Sequence, residues 1–184
     1  MSLLASRGQL RASLLRWVLL LVPAVLLAGF LSGELARSGP GNPWFDALVK
    51  PSLFPPPAVF GIVWTILYAL MGLACAIVCS AWGARGRGLA IAMFALQLAL
   101  NLAWSPLFFA GHRIAASLVL LGVLDIAVAV TLVLFWRIRR LAGILLVPYL
   151  AWVLFATLLT WQFLEANPQA DGGVASGAVQ RLEL

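Results

Sequence analysis

The chain has 184 residues, of which 64% are hydrophobic and only 18 carry a formal charge, 12 Lys or Arg against 6 Asp or Glu. A soluble domain is about 45–50% apolar and about 25% charged, so this chain has too few polar groups to coat a water-facing surface. A soluble globular enzyme, a disordered chain and a fibrous protein are thereby excluded. The net charge of +6 and pI near 10.7 do not point to nucleic acid, because the arginines are scattered over short connections instead of forming one basic face.

In chain order, residues 1–16 form a basic N-terminal segment carrying Arg7, Arg11 and Arg16. Charge-poor windows then follow at about 17–33, 58–82, 89–111, 114–136 and 141–164. Each is close to the roughly 20 residues that a helix needs to cross a bilayer. Leu and Ala dominate and no window alternates polar with apolar residues, so the spans are predicted as α-helices and not barrel strands. The expected fold is an all-α membrane protein: one domain, a five transmembrane helix bundle with a long Pro-rich loop between helices 1 and 2. Residues 1–33 also have the outline of a signal peptide, but no clear small-x-small cleavage site follows the apolar core. The last stretch, 165–184, is polar and rich in Gly, Ala and Ser, which predicts a disordered tail.

Basic residues set the orientation, because cytoplasmic flanks accumulate Lys and Arg. The N-terminus and the second and fourth loops share eight: Arg7, Arg11, Arg16, Arg85, Arg87, Arg137, Arg139 and Arg140. The other side holds four: Arg37, Lys50, Arg113 and Arg181. The N-terminus is therefore expected in the cytoplasm and the first loop and C-terminus outside. Trp17, Trp82, Trp136 and Trp161 fall near span ends, where indoles anchor at the interface. Trp64, Trp104 and Trp152 fall within spans. Eleven arginines against one lysine point to the GC-rich codons of a bacterium.

The first loop departs from the two to eight residues usual between bundle helices. Between about Glu34 and Pro57 lie Pro40, Pro43, Pro51, Pro55, Pro56 and Pro57, with Trp44, Phe45, Leu48, Leu53 and Phe54. The prolines forbid a long helix and pre-set one shape. A stiff aromatic loop reads as a lid over the bundle; the alternative is an interfacial segment resting among headgroups. Trp64 and Trp104 each lie about 10 Å below the loop face at 1.5 Å per residue, with Ala156 at a similar level and Asn101 and Trp152 about a turn deeper. Gln97, Asn101 and Trp104 recur at i, i+4, i+7 and share one helix face. Amides at that depth face protein, water or ligand. Hydrogen bonding between helices is one reading; an apolar small-molecule pocket with a few polar anchors is the other.

The remaining chemistry-bearing residues are sparse. Asp125 is the carboxylate inside a span, with either a functional role or a bond to a neighbouring helix. Cys75 and Cys79 share a face without a third ligand and read as small buried apolar groups. His112 stands alone in the third loop, a loop residue with axial haem ligation as the alternative. No Ser/His/Asp set, metal cluster or phosphate loop is present, so no catalytic or metal-binding residue is assigned.

Three blocks resemble the tryptophan-rich sensory protein/translocator protein family, also called the peripheral-type benzodiazepine receptor (TspO/MBR) family. They are Trp44-Phe45-Asp46-Ala47-Leu48-Val49-Lys50-Pro51 with Pro55-Pro56 and Phe60 to Gly72; Gln97 to Phe109; and Pro148 to Thr157. The resemblance runs in order over about residues 44–164. It implies a membrane protein that binds tetrapyrroles such as protoporphyrin or haem, as a ligand and not an obligatory cofactor, acting as sensor or carrier. Light-dependent porphyrin degradation and transport of sterols, lipids or drugs are the alternatives. The matching pocket positions are Trp44, Phe45, Trp64, Gln97, Asn101, Trp104, Trp152 and Ala156. A tetrapyrrole wants stacked aromatics and a cation at its carboxylate edge, for which Lys50, Arg37 and Arg113 are candidates. The expected partners are that ligand or another hydrophobic small molecule, membrane lipid and a second copy of the chain. Ala95, Ala99 and Ala103, at i, i+4, i+8, permit the close helix approach of a homodimer or of packing inside one bundle. Phe45, Leu53, Phe94 and Thr160 replace residues that the family often has as Tyr, Trp, Tyr and Asn, which removes polar contacts. The sterol pattern of Leu/Val, Tyr and Lys/Arg is absent after Tyr149.

Overall fold

The structure, a computed structural model, describes residues 7–172. Its elements are α1 (Arg7–Leu35), α2 (Pro43–Ala47), α3 (Pro57–Cys79), α4 (Arg87–Ser105), a π-helical turn (Pro106–Ala110), α5 (Ile114–Ile138) and α6 (Arg140–Ala166). Among the described residues there is no strand. Five helices, α1, α3, α4 with its π turn, α5 and α6, are long and apolar enough to cross a membrane. The chain is an all-α, multi-pass membrane protein.

Helix ends differ from the apolar windows where local chemistry overrides hydropathy. α1 begins at Arg7, inside the basic segment, because Leu, Arg, Gln and Ala are strong helix formers whether or not lipid surrounds them. Residues 1–6 of that segment lie outside the described residues. α3 stops at Cys79, short of Trp82, and the chain turns through Gly83 and Gly86 at φ +76° and +77°, a region that residues with a Cβ rarely adopt. Residues 165–172, expected as the start of a disordered tail, are folded. α6 runs to Ala166, and the next residues fold back: the Gly172 amide donates to the His112 carbonyl at 2.8 Å and the Ala115 amide to the Asp171 carboxylate at 3.1 Å. Residues 173–184 of that predicted tail lie outside the described residues.

The π turn follows from Pro106. Without an N–H, Pro106 cannot donate to the Leu102 carbonyl one turn back. In lipid that orphan needs a protein partner. Ser32 of α1 supplies it, its hydroxyl donating at 2.7 Å. The register then widens, the Gly111 amide reaching the Pro106 carbonyl at 2.8 Å. One proline thus ties the C-terminal end of α1 to α4.

Around the bundle α1 packs on α3, α3 on α6, α6 on α5 and α5 on α4, which closes back on α1 and α3. The backbones of α1 and α3 cross closely at Gly72, where an added Cβ would sit 2.7 Å from the Val22 Cα of α1. Met71, Val78, Val128, Phe135, Leu146 and Tyr149 fill the centre, while Leu27, Phe30, Ile62, Ile66, Val119 and Ile126 point outward. That outward belt is what lipid requires of a bundle surface. Cys75 and Cys79 are buried in the central cluster. Trp82, Trp136 and Trp161 are exposed near helix ends, consistent with interfacial anchoring. A second apolar cluster closes the other end, where Trp44, Phe45 and Leu48 of the loop sit on Phe108, Phe109, Leu159 and Phe163.

Candidate functional site

The loop owes its shape to a few polar side chains. Asn42 caps α2, its Oδ1 accepting from the Phe45 amide at 3.1 Å, and Pro43 supplies the fixed φ favoured at a helix start. The Asn42 Nδ2 donates to the carbonyls of Arg37 and Phe109, each at 3.2 Å, which ties loop to bundle. Asp46 accepts from the Gly41 amide at 2.9 Å. At the far end of α2 the Lys50 ammonium donates to the carbonyls of Phe45 and Leu48 and lies 4.4 Å over the Phe45 ring. Beyond it, the Asn167 side chain makes a paired contact with Val49, accepting from its N–H at 2.8 Å and donating to its carbonyl at 3.0 Å.

These bonds press the aromatic side of α2 inward. Trp44 and Phe45 are each only 4% exposed, so they face protein and not headgroups. Trp44 stacks on His112, with ring centroids 4.6 Å apart and 16° between planes, and meets Phe108 edge-on at 5.4 Å. His112 reaches that position with φ at +54°, and its ring lies flat on an indole. Trp104 stacks on the other side of this group, 5.1 Å from Phe108. A second run of rings goes from Phe45 to Phe54 at 5.9 Å, to Phe60 at 5.3 Å and to Trp152 at 5.8 Å. Centroid separations of 4.5–7 Å are contact distances for aromatic pairs. The space beneath the loop is therefore filled by its own rings.

One level deeper, Gln97 and Asn101 are both buried and both bound to tyrosines. Tyr149 of α6 donates to the Gln97 Oε1 at 2.8 Å, and Tyr68 of α3 donates to the Asn101 Oδ1 at 2.9 Å. Trp64 joins the two pairs, stacked on Tyr68 at 5.2 Å and edge-on to Tyr149 at 6.4 Å. The Tyr68 ring lies against Gly29 of α1, where an added Cβ would come within 2.1 Å of it. Three helices thus meet α4 at its amide face.

The predicted site residues therefore separate into two levels. Trp44, Phe45 and Trp104 form the upper one; Trp64, Gln97 and Asn101 form the lower one. Trp152 and Ala156 are half-buried against the core. Trp152 also lines an open groove of about 420 Å³ between α3 and α6, with Ile66 and Pro148. Arg37 and Arg113 lie exposed at the loop end. Lys50, the third candidate for a ligand carboxylate, directs its donors to carbonyls of its own loop. Burial pushes its ammonium below the usual lysine range, and Asp46 partly offsets this. Asp125 accepts from the Thr157 hydroxyl of α6 at 2.8 Å, the neighbouring-helix bond that was one of its two readings.

Sequence reasoning missed Asn42, Tyr68, Tyr149 and Asn167 as structural anchors of the site. Asn42 before Pro43 is a helix-start signal; a tyrosine inside an apolar window is likewise a polar group in need of a partner. Three buried donors in the site have no acceptor among the described residues: Trp44 Nε1, Trp104 Nε1 and Gln97 Nε2.

Asn167→Ala should free the loop without touching these rings. It strands both Val49 backbone groups, a loss of about 1–3 kcal/mol, or roughly 5- to 150-fold faster amide exchange at Val49. Hydrogen exchange read by mass spectrometry checks this; unchanged protection across the loop would mean that Asn167 does not hold it.

Comparison with known proteins places this geometry. The model of the TspO/MBR family matches residues 19–165. The tryptophan-rich protein TspO of Chlorobaculum tepidum is 40% identical over 144 residues, covering 78% of this chain and 90% of the relative. The tryptophan-rich sensory protein of Cereibacter sphaeroides is 41% identical over 124 residues, 67% of this chain and 77% of the relative. The human translocator protein is 37% identical over 147 residues, 79% of this chain and 87% of the relative. With a family match across most of the chain and five spanning helices beneath a folded loop, the chain belongs to the TspO/MBR family.

Proposed function

We propose that the protein binds a tetrapyrrole, protoporphyrin or haem, as an exchangeable ligand beneath the first loop and acts as its sensor or carrier. The observation that carries this reading is the set of three buried, unpartnered donors, Trp44 Nε1, Trp104 Nε1 and Gln97 Nε2, set among aromatic faces. An unmade hydrogen bond at a buried donor costs about 1–3 kcal/mol. A ligand that brings acceptors and a flat π-face offsets that cost and gains stacking. A tetrapyrrole has both, and Arg37 and Arg113 at the loop end suit its carboxylates better than Lys50 does. Because the rings under the loop already touch one another, binding requires α2 to lift and its aromatics to part. The bonds of Asn42 and Asn167 set the energy of that opening. The excess of arginines at the other end orients the loop away from the cytoplasm.

Protoporphyrin should quench the tryptophan fluorescence of the purified protein saturably. Trp104→Ala and Gln97→Leu should each weaken binding about tenfold or more. Parent-like affinity in both variants would move the site elsewhere.

A second copy of the chain is part of the same proposal. Ala95, Ala99 and Ala103 are all exposed on α4, on the face away from Gln97 and Asn101. Small residues turned outward let a second helix approach closely. Ala99→Cys should form a disulfide-linked dimer on mild oxidation of the membrane-embedded protein, whereas a cysteine at exposed Val119 on α5 should not. Equal cross-linking from both positions would reflect random collision.

A further inference from the structure

The end of the bundle opposite the loop is electrostatically one-sided. Every described arginine except Arg37 and Arg113 falls there, whereas Glu34, Asp46, Glu165 and Asp171 lie at the loop end and Asp125 lies mid-span. No described carboxylate neutralises that cluster. Charge held at a low-dielectric boundary attracts anions strongly, because water screens it poorly there.

A specific seat exists at this end. Ser13, Arg16, Trp17 and Leu20, spaced i, i+3, i+4, i+7 on α1, form a groove of about 360 Å³ with Trp82 from the turn after α3. Trp82 is 67% exposed, yet it is held in place. Its Nε1 donates to the Ser13 hydroxyl at 3.4 Å, and the Arg87 guanidinium lies 4.4 Å over its ring. Arg87 is itself fixed, donating to the Cys79 carbonyl at the end of α3 at 2.7 and 3.1 Å. Arg16 at the mouth is exposed, and Leu20, one turn further into the span, is 59% exposed.

We infer that this groove binds an anionic phospholipid of the leaflet on the N-terminal side. The order of chemistry along it matches such a lipid. The Arg16 fork pairs the phosphate, the kind of bidentate contact that guanidinium geometry favours. The glycerol and first methylenes lie between the Trp17 and Trp82 rings, which suit the boundary between headgroup and acyl chain. One acyl chain then runs along Leu20. A zwitterionic lipid carries its own cation into the arginine cluster and gains less. A phosphate ion alone leaves the apolar part of the groove uncovered.

The test is the thermal stability of the detergent-purified full chain, titrated separately with phosphatidylglycerol, phosphatidylcholine and inorganic phosphate. Phosphatidylglycerol should stabilise with an apparent affinity about fivefold higher than phosphatidylcholine. Arg16→Gln and Trp82→Ala should each erase that preference. Arg137→Gln, at the same end of the bundle but outside the groove, should keep it. Since Trp82 is largely exposed, its removal leaves the core intact; should that variant nevertheless fail to fold, Arg16→Gln decides alone. Equal affinity for the two lipids, the same stabilisation by inorganic phosphate, or an Arg137→Gln loss as large as that of Arg16→Gln overturns the inference.

Discussion

Two tyrosine–amide hydrogen bonds organise the interior of this bundle. A polar group within a bilayer has no water to turn to, so each amide must find a partner on another helix. Asn101 finds Tyr68 of α3, and Gln97 finds Tyr149 of α6. With one bond each, α4 is keyed in rotation and depth to both neighbours. Apolar packing alone tolerates small slips between helices. Such bonds are worth only about 0.6–2 kcal/mol apiece in membranes, and their importance here is geometric: they hold Trp64 between them and leave the other end of the Gln97 amide without an acceptor.

The same constraint shapes the loop end. Six prolines in the first loop remove backbone donors and exclude a long helix, so the loop depends on side chains for its polar contacts. Asn42 and Asn167 supply them, one from the loop to the bundle and one from the bundle to the loop. Between these clamps the aromatic face of α2 seals the bundle mouth. Under the proposed function, few hydrogen bonds and many ring contacts let this loop open at moderate cost and close to one shape.

The five spans and the single unusual loop were legible in the sequence because hydropathy and proline content are local properties. So was the amide face of α4, since Gln97, Asn101 and Trp104 repeat at helical spacing. What the windows did not reveal depends on distant partners. Tyr68 and Tyr149 read as parts of apolar runs, and only their pairing with amides 33 and 52 residues away gives them a role. Asn167 fell in a stretch whose composition reads as disordered, yet its bonds to Val49 cross 118 residues. The pairing of Ser32 with the carbonyl freed by Pro106 is of the same kind. The contacts of Lys50 are local, since its ammonium donates to backbone carbonyls at the end of α2.

The central claim is that the unpartnered donors beneath the loop are there to receive the acceptors of a ligand. Its most direct test measures protoporphyrin affinity in the parent and in Gln97→Met, which keeps volume but loses the donor. The account predicts that the parent binds saturably and that Gln97→Met binds about tenfold more weakly. An undiminished affinity in the variant would contradict it.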